Sequence, residues 1–247
     1  MELREVVAVI TGASGGLGSY LAKALAEAGC KCICQYNRNR QKAERLVDEI
    51  QAMGVSAAAV QADFRVPGQI KKLFNSASEK GVPQVLINSA AVFSRQPLTE
   101  LTREHAGRVL DLNLAAPIFA SRVFAEKINA EFPSSESVVG KIINIADIGG
   151  IRPWAGYVVY CASKAGLIGA TKALAKELAP KICVNSIAPG LVTWPENFDQ
   201  TQKKRQLSSI PAARIAQPEE IAQTAIFLLK NDYITGQVIN VDGGRCI

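Results

Sequence analysis

Val6-Val7-Ala8-Val9-Ile10-Thr11-Gly12-Ala13-Ser14-Gly15-Gly16-Leu17-Gly18 is the stretch that decides the fold. Five apolar residues, four of them β-branched, predict a short buried strand. A glycine-rich turn follows. From Gly16 to Ala28 the chain is rich in Ala and Leu, and it stops at Gly29, a usual helix C-cap. A strand, a glycine turn and a helix together form an anion site. The helix N-terminus offers free N–H groups and partial positive charge. Glycines let the backbone approach a pyrophosphate and let the helix pack close to the sheet. The turn is therefore expected to hold a dinucleotide through Gly12, Ser14, Gly16, Leu17 and Gly18; a purely structural turn is the alternative.

Outward from that turn the rhythm repeats. Strand-like runs fall at 31–36, 56–61, 84–87, 141–146, 182–188 and 238–241, and helical stretches at 39–52, 67–80, 99–129, 157–178 and 218–230. The last helix opens Pro218-Glu219-Glu220, with proline in its first turn and acids at the dipole's positive end. Sustained alternation predicts an α/β, doubly wound, three-layer fold with a central parallel sheet of about seven strands. No repeat or linker interrupts it, so residues 1–247 are expected to form one domain. Two connections break the rhythm. Residues 131–140 are polar, with Pro133 and three serines, and residues 190–217 form a long segment after a strand's carboxyl end. Open α/β sheets bind ligands at that edge, so 190–217 is expected to be a substrate-binding lid.

Bulk composition narrows the function. Of 247 residues, 48% are hydrophobic and 20% charged, which excludes disorder. The net charge of +6 is scattered apart from Lys203-Lys204-Arg205, so no nucleic-acid partner is expected. The apolar run at the N-terminus is short for a signal segment, and no stretch is long enough to span a bilayer. A cytoplasmic protein without membrane contact is the expectation. Cys30, Cys32 and Cys34 alternate along a strand and share a face, a poor geometry for a disulfide. With Cys161, Cys183 and Cys246 they miss zinc spacings, so they read as buried small hydrophobes and no metal is expected.

The second strand selects the cofactor. An NAD site ends that strand with an acid for the ribose hydroxyl. Here Gln35-Tyr36-Asn37-Arg38-Asn39-Arg40-Gln41-Lys42 holds no acid and three cations. Arg38 is placed to bind a 2′-phosphate bidentately, with Tyr36 and Asn37 beside it, so NADP(H) is expected. Further on, Tyr160 and Lys164 lie four residues apart and would share one helix face. An ammonium beside a phenol lowers the phenol's pKa and prepares it for proton transfer.

With these residues in view, the chain resembles the short-chain dehydrogenase/reductase family from Val6 to Arg245. The glycine turn is Thr11–Gly18, the acidic adenine contact Asp63 followed by Phe64, and the Asn-x-Ala segment Asn88-Ser89-Ala90 followed by Ala91. The helix-4 asparagine falls on Asn113, the active tyrosine and lysine on Tyr160 and Lys164, and the turn cupping the nicotinamide on Pro189-Gly190 with Val192 and Thr193. The resemblance implies a Rossmann-type NADP(H)-dependent oxidoreductase with Asn113, Tyr160 and Lys164 as catalytic residues. It also implies assembly into a homotetramer, or else a homodimer, through the fourth and fifth helices and the C-terminal strand.

One departure is informative. The family's usual serine, thirteen residues before the tyrosine, is here Asp147. An aspartate there resembles the pteridine reductases. The run Arg152-Pro153-Trp154-Ala155-Gly156-Tyr157-Val158-Val159-Tyr160 is similar to theirs, and Phe93 falls where that branch stacks a pterin. Trp154 and Trp194 are further candidate walls for substrate. Against the pterin, the arginine usual in that branch's glycine turn is here Gly16. The expected function is NADPH-dependent reduction of a C=N or C=O bond in a small substrate, with a pterin as one candidate. The alternatives are a 3-oxoacyl thioester or general ketone reductase, and a non-catalytic NADP(H)-sensing protein.

Asp147 has a physical consequence. At an assumed ~6 Å and a dielectric of ~20, an ionised carboxylate opposes a phenolate by about 3 kcal/mol. That is enough to raise the tyrosine pKa by roughly two, against the pull of Lys164. A tyrosine kept protonated suits reduction. An anionic Asp147 would also accept hydrogen bonds from amino and ring N–H donors of a pterin-like substrate.

Overall fold

β1 (Val7–Thr11) is buried at every position, which places it mid-sheet with both faces covered. The computed structural model describes residues 1–194 and 198–247. Around β1 lie β2 (Lys31–Tyr36), β3 (Ala57–Gln61), β4 (Pro83–Asn88), β5 (Gly140–Ile145), β6 (Ile182–Pro189) and β7 (Val238–Val241). They form one parallel sheet in the order β3-β2-β1-β4-β5-β6-β7. The order reverses between β1 and β4, and the crevice outside their carboxyl ends is where such sheets bind ligands.

Helices cover both faces. α1 (Gly16–Glu27), α2 (Arg40–Ala52) and α8 (Pro218–Lys230) pack on one, burying Leu21, Leu25, Ile50, Ile221 and Leu228 against Ile10 and Ile143. α3 (Gln69–Ser78), α5 (Ala116–Glu131) and α6 (Val158–Glu177) pack on the other, where Phe74 meets Phe124 edge-on at 6.4 Å. Cys30, Cys32 and Cys34 sit together in the first layer as free buried thiols, and burial pushes Cys30 and Cys34 up to about 12. Among the described residues no helix is long and apolar enough to cross a membrane, and no group of side chains is arranged to hold a metal.

The structure revises two expectations. The helical stretch 99–129 is broken. α4 (Arg103–Leu110) leads through a π turn, Asp111–Ala115, into α5. Pro117 lies four residues after Asn113, where its ring would clash with the Asn113 carbonyl and its missing N–H would leave the ladder open. The wider π turn absorbs that conflict and turns Asn113 fully inward. The segment 190–217 is also no plain loop, because it contains α7 (Gln200–Leu207), started by an Asp199–Gln202 capping box. Gln, Lys and Arg around the whole helix give no apolar face, so periodicity could not reveal it. Residues 195–197 of this segment lie outside the described residues.

Candidate active site

The glycine turn is fastened to three strands. Gly12 has φ +66, and a Cβ there would lie 2.7 Å from the Ala90 Cα. Its N–H donates to Gln35 Oε1 at 2.7 Å, while Gln35 Nε2 donates to the Ala62 carbonyl at 2.7 Å. Thr11 Oγ1 accepts from the N–H groups of Ser89 and Ala90. The N-cap of α1 is Gly15, with no side chain satisfying the first N–H groups, so they remain free for an anion.

A cavity of about 460 Å³ lies over this turn, walled by Gly12, Ser14, Leu17, Arg38, Phe64 and Ala90. Gly16, Gly18, Asn37, Ser89 and Ala91 also face it. Lys42 and Arg45 stand with Ser14 on the turn's outer side. Among the described residues Arg38 makes no ion pair, so a 2′-phosphate would meet an uncommitted guanidinium. These residues fit a phosphorylated dinucleotide. Two expected contacts are placed differently. Tyr36 is buried at the end of β2, so Asn37 and Arg38 face the cavity in its stead. Asp63 is engaged by Arg65, whose Nη2 donates at 2.6 Å and holds the carboxyl at about 2; its neighbours Ala62 and Phe64 line the wall.

The chemistry gathers at the ends of β5 and β6. Asp147 starts a 3₁₀ turn, Ile148–Gly150, accepting the Gly149 N–H on Oδ1 at 2.6 Å. Its Oδ2 accepts the Tyr160 hydroxyl at 2.8 Å, far closer than the separation assumed from sequence. Tyr160 and Lys164 leave α6 on one buried face, and Lys164 Nζ donates to the Ile145 carbonyl at 2.8 Å. Asn113 accepts from the Val92 N–H and donates to the Val92 carbonyl and to Ser163 Oγ, so it pins the loop after β4 against α6.

Burial first, then the charge and hydrogen bond of Asp147, push the Tyr160 phenol well above its ordinary value. The lowering expected from Lys164 is outweighed: its ammonium is 5.9 Å from the ring centroid, and burial pulls Lys164 itself down to about 8, with Asp147 opposing. Burial raises the Asp147 carboxyl; the Gly149 N–H, the Tyr160 hydroxyl, Lys164 and Arg245 partly offset it. Tyr160 is thus an acid that keeps its proton at neutral pH, tied to a carboxyl that is reluctant to ionise.

A second cavity, of about 280 Å³, is walled by Asp147, Trp154, Tyr160, Lys164, Gly190 and Val192. Pro189 and Phe93 border it as well. Leu17, Ser89 and Ala91 line both cavities, so the two form one trough running from Arg38 to Tyr160. Phe93 is at the site, with one face stacked on Tyr157 at 5.0 Å and 17° and Tyr160 edge-on to it at 4.9 Å, and it remains 55% exposed. Trp154 is in the wall as expected. Trp194 is not among the lining side chains: its ring lies beneath the Lys203 ammonium at 5.7 Å. Sequence reasoning missed Gln35, Tyr157, Gln206 and Arg245. Only the presence of an amide within the buried strand β2 hinted at Gln35, and nothing local marked the rest.

Comparison with known proteins agrees with this geometry. A family profile described as enoyl-(acyl carrier protein) reductase matches residues 12–245. A 3-oxoacyl-[acyl-carrier-protein] reductase of Synechocystis sp. is 37% identical over 243 residues, 96% of each chain. A galactitol 2-dehydrogenase of Agrobacterium fabrum is 36% identical over 99% of each. A short-chain dehydrogenase from Burkholderia cenocepacia, solved in complex with NADP, superposes with a TM-score of 0.90 at 29% identity over the full length of both chains. The turn, the trough and the Tyr160–Lys164 pair, together with these relatives, show that the chain belongs to the short-chain dehydrogenase/reductase family of oxidoreductases.

Proposed function

We propose that the chain is an NADPH-dependent reductase of a small carbonyl compound. The observation that carries this reading is the Tyr160 hydroxyl, hydrogen-bonded to Asp147 at 2.8 Å, on the wall of a cavity that shares three residues with the dinucleotide cavity. The turn at Thr11–Gly18 holds the pyrophosphate, and Arg38 selects the 2′-phosphate. A nicotinamide held there would supply the hydride for the carbonyl carbon. Tyr160 gives its hydroxyl proton to the carbonyl oxygen as that oxygen gains charge, and Asp147, held by the Gly149 N–H, returns a proton to the phenolate. Lys164 keeps positive charge beside the pair, and Asn113 fixes the loop that carries Phe93.

A 3-oxoacyl thioester is the better supported substrate class. The Synechocystis relative bears that name, and the chain matches it over nearly its whole length. A pterin is less well supported, because Gly16 stands where the pteridine reductases carry arginine. A relative named for galactitol at 36% identity keeps a general ketone substrate in play. A homotetramer would cover α4 and α5, which expose Leu110, Ile118 and Phe119, together with α6 and β7, and the expected residence is the cytoplasm.

The test is NADPH consumption with acetoacetyl-coenzyme A, a simple ketone and a dihydropteridine. Acetoacetyl-coenzyme A is expected to be reduced, and Tyr160→Phe to bind NADPH normally while losing roughly 10²- to 10⁴-fold in kcat. NADPH binding with no turnover of any of the three would point to a sensor and overturn the reductase reading.

A further inference from the structure

The last residues of the chain deliver a cation into the substrate cavity. Asp242, just after β7, folds the tail back on itself, accepting the Gly244 N–H on Oδ1 at 3.0 Å and the Cys246 N–H on Oδ2 at 2.9 Å. Gly243 and Gly244 both take positive φ, so the hook turns sharply. Arg152 then pins it from outside, donating from Nη1 to the Arg245 carbonyl at 2.8 Å. The backbone of Arg245 is fixed by these contacts, and its side chain lines the cavity that holds Asp147, Tyr160 and Lys164.

It also lines an adjoining cavity of about 270 Å³, whose other walls include Phe93, Trp154, Tyr157, Leu191 and Phe198. Within that mostly aromatic enclosure the guanidinium has, among the described residues, one partner, the neutral side-chain oxygen of Gln206 on α7. Among the described residues no carboxylate lies within ion-pair distance of it. A guanidinium carries five donors in a planar fork suited to a carboxylate, and one neutral acceptor leaves most of them uncommitted. A structural arginine would be expected to spend that capacity on protein acceptors; this one faces a space bounded by rings.

We propose that Arg245 is the anion receptor of the substrate cavity, so that the cavity also accepts a flat or apolar compound bearing a carboxylate, its apolar part held among Phe93, Trp154 and Phe198. This rests on the reading of that cavity as the substrate site of the reductase. The ligand carboxylate takes the place of the Gln206 amide on the fork, which links anion binding to α7 of the lid segment.

The test is calorimetric titration of the enzyme–NADP⁺ complex with benzoate and 2-naphthoate, each against its primary amide. These probes need no turnover. The acids are expected to bind at least about tenfold more tightly than the amides. Arg245→Met is expected to abolish the acid-to-amide preference, and Arg245→Lys, which keeps the charge, to retain part of it, with thermal melting checking that both variants fold. Equal binding of acid and amide by the wild type, or a preference unchanged in Arg245→Met, overturns the inference. An Arg245-dependent preference without any carbonyl reduction would leave the receptor standing and sink the reductase reading. Thioester reduction without acid preference would do the reverse.

Discussion

The two cavities that meet at Leu17, Ser89 and Ala91 are built in opposite ways. The dinucleotide side is made largely of backbone, with the Arg38 side chain added for the 2′-phosphate. One continuous turn supplies N–H groups, Gly12 brings the chain against Ala90, and Gln35 and Thr11 tie the turn to its neighbours. The substrate side is made of side chains from separate segments: Phe93 after β4, Asp147 after β5, Tyr157 and Tyr160 at the start of α6, Gln206 on α7 and Arg245 on the tail. A backbone site tolerates little at any one position. A side-chain site spreads its recognition and can be retuned one wall at a time, which accounts for relatives of similar identity bearing the names of different substrates.

Three substitutions, in falling order of expected effect, sharpen this contrast. Gly12→Ala forces a left-handed backbone and a Cβ contact at 2.7 Å. It is expected to destabilise the fold by about 1–3 kcal/mol and to weaken NADPH binding by at least about a hundredfold, read by melting and fluorescence titration. Unchanged binding would break the backbone account. Arg38→Ala should weaken NADPH about ten- to a hundredfold while leaving NADH nearly as it was, so the ratio of the two dissociation constants isolates the 2′-phosphate. An equal loss for both cofactors would remove Arg38 from that role. Phe93→Ala, one wall among several, should raise KM for acetoacetyl-coenzyme A by only about three- to tenfold without moving NADPH affinity. A change in NADPH affinity of the same size would mean that the two sides are not separable.

The same division governs what could be read from the sequence. Backbone recognition leaves a local mark: the glycines of Thr11–Gly18 follow a β-branched strand directly, and the missing acid at the tip of β2 is visible by inspection. The sheet was equally legible because buried parallel strands are short β-branched runs. Tyr160, Lys164 and Asp147 are legible through spacing and family resemblance, and so is the upward push of Asp147 on the phenol, but not the share of burial in it. Sequence placed Lys164 and Asp147 in a contest over the phenol, whereas burial dominates and the carboxylate touches the hydroxyl directly. Trp194 was a reasonable aromatic candidate until Lys203 covered it. Arg245 and Gln206 were illegible, because their meeting depends on a hook at residues 242–246 and a helix without an apolar face, features that exist only once the sheet has folded.

The central claim is that Asp147 and Tyr160 act as one proton-holding pair, and the pH dependence of reduction tests it most directly. Asp147 is raised from its ordinary value, so at low pH the pair holds both protons and the phenol is free to turn its own toward the cavity. As pH rises through that elevated ionisation the new carboxylate accepts the phenol's hydrogen bond and has no proton of its own to return, and reduction slows. The account predicts that kcat/KM for acetoacetyl-coenzyme A falls with rising pH along a limb lying above the ordinary carboxylate range, and that Asp147→Ser removes this limb while NADPH binding persists. The same limb in wild type and Asp147→Ser would contradict it.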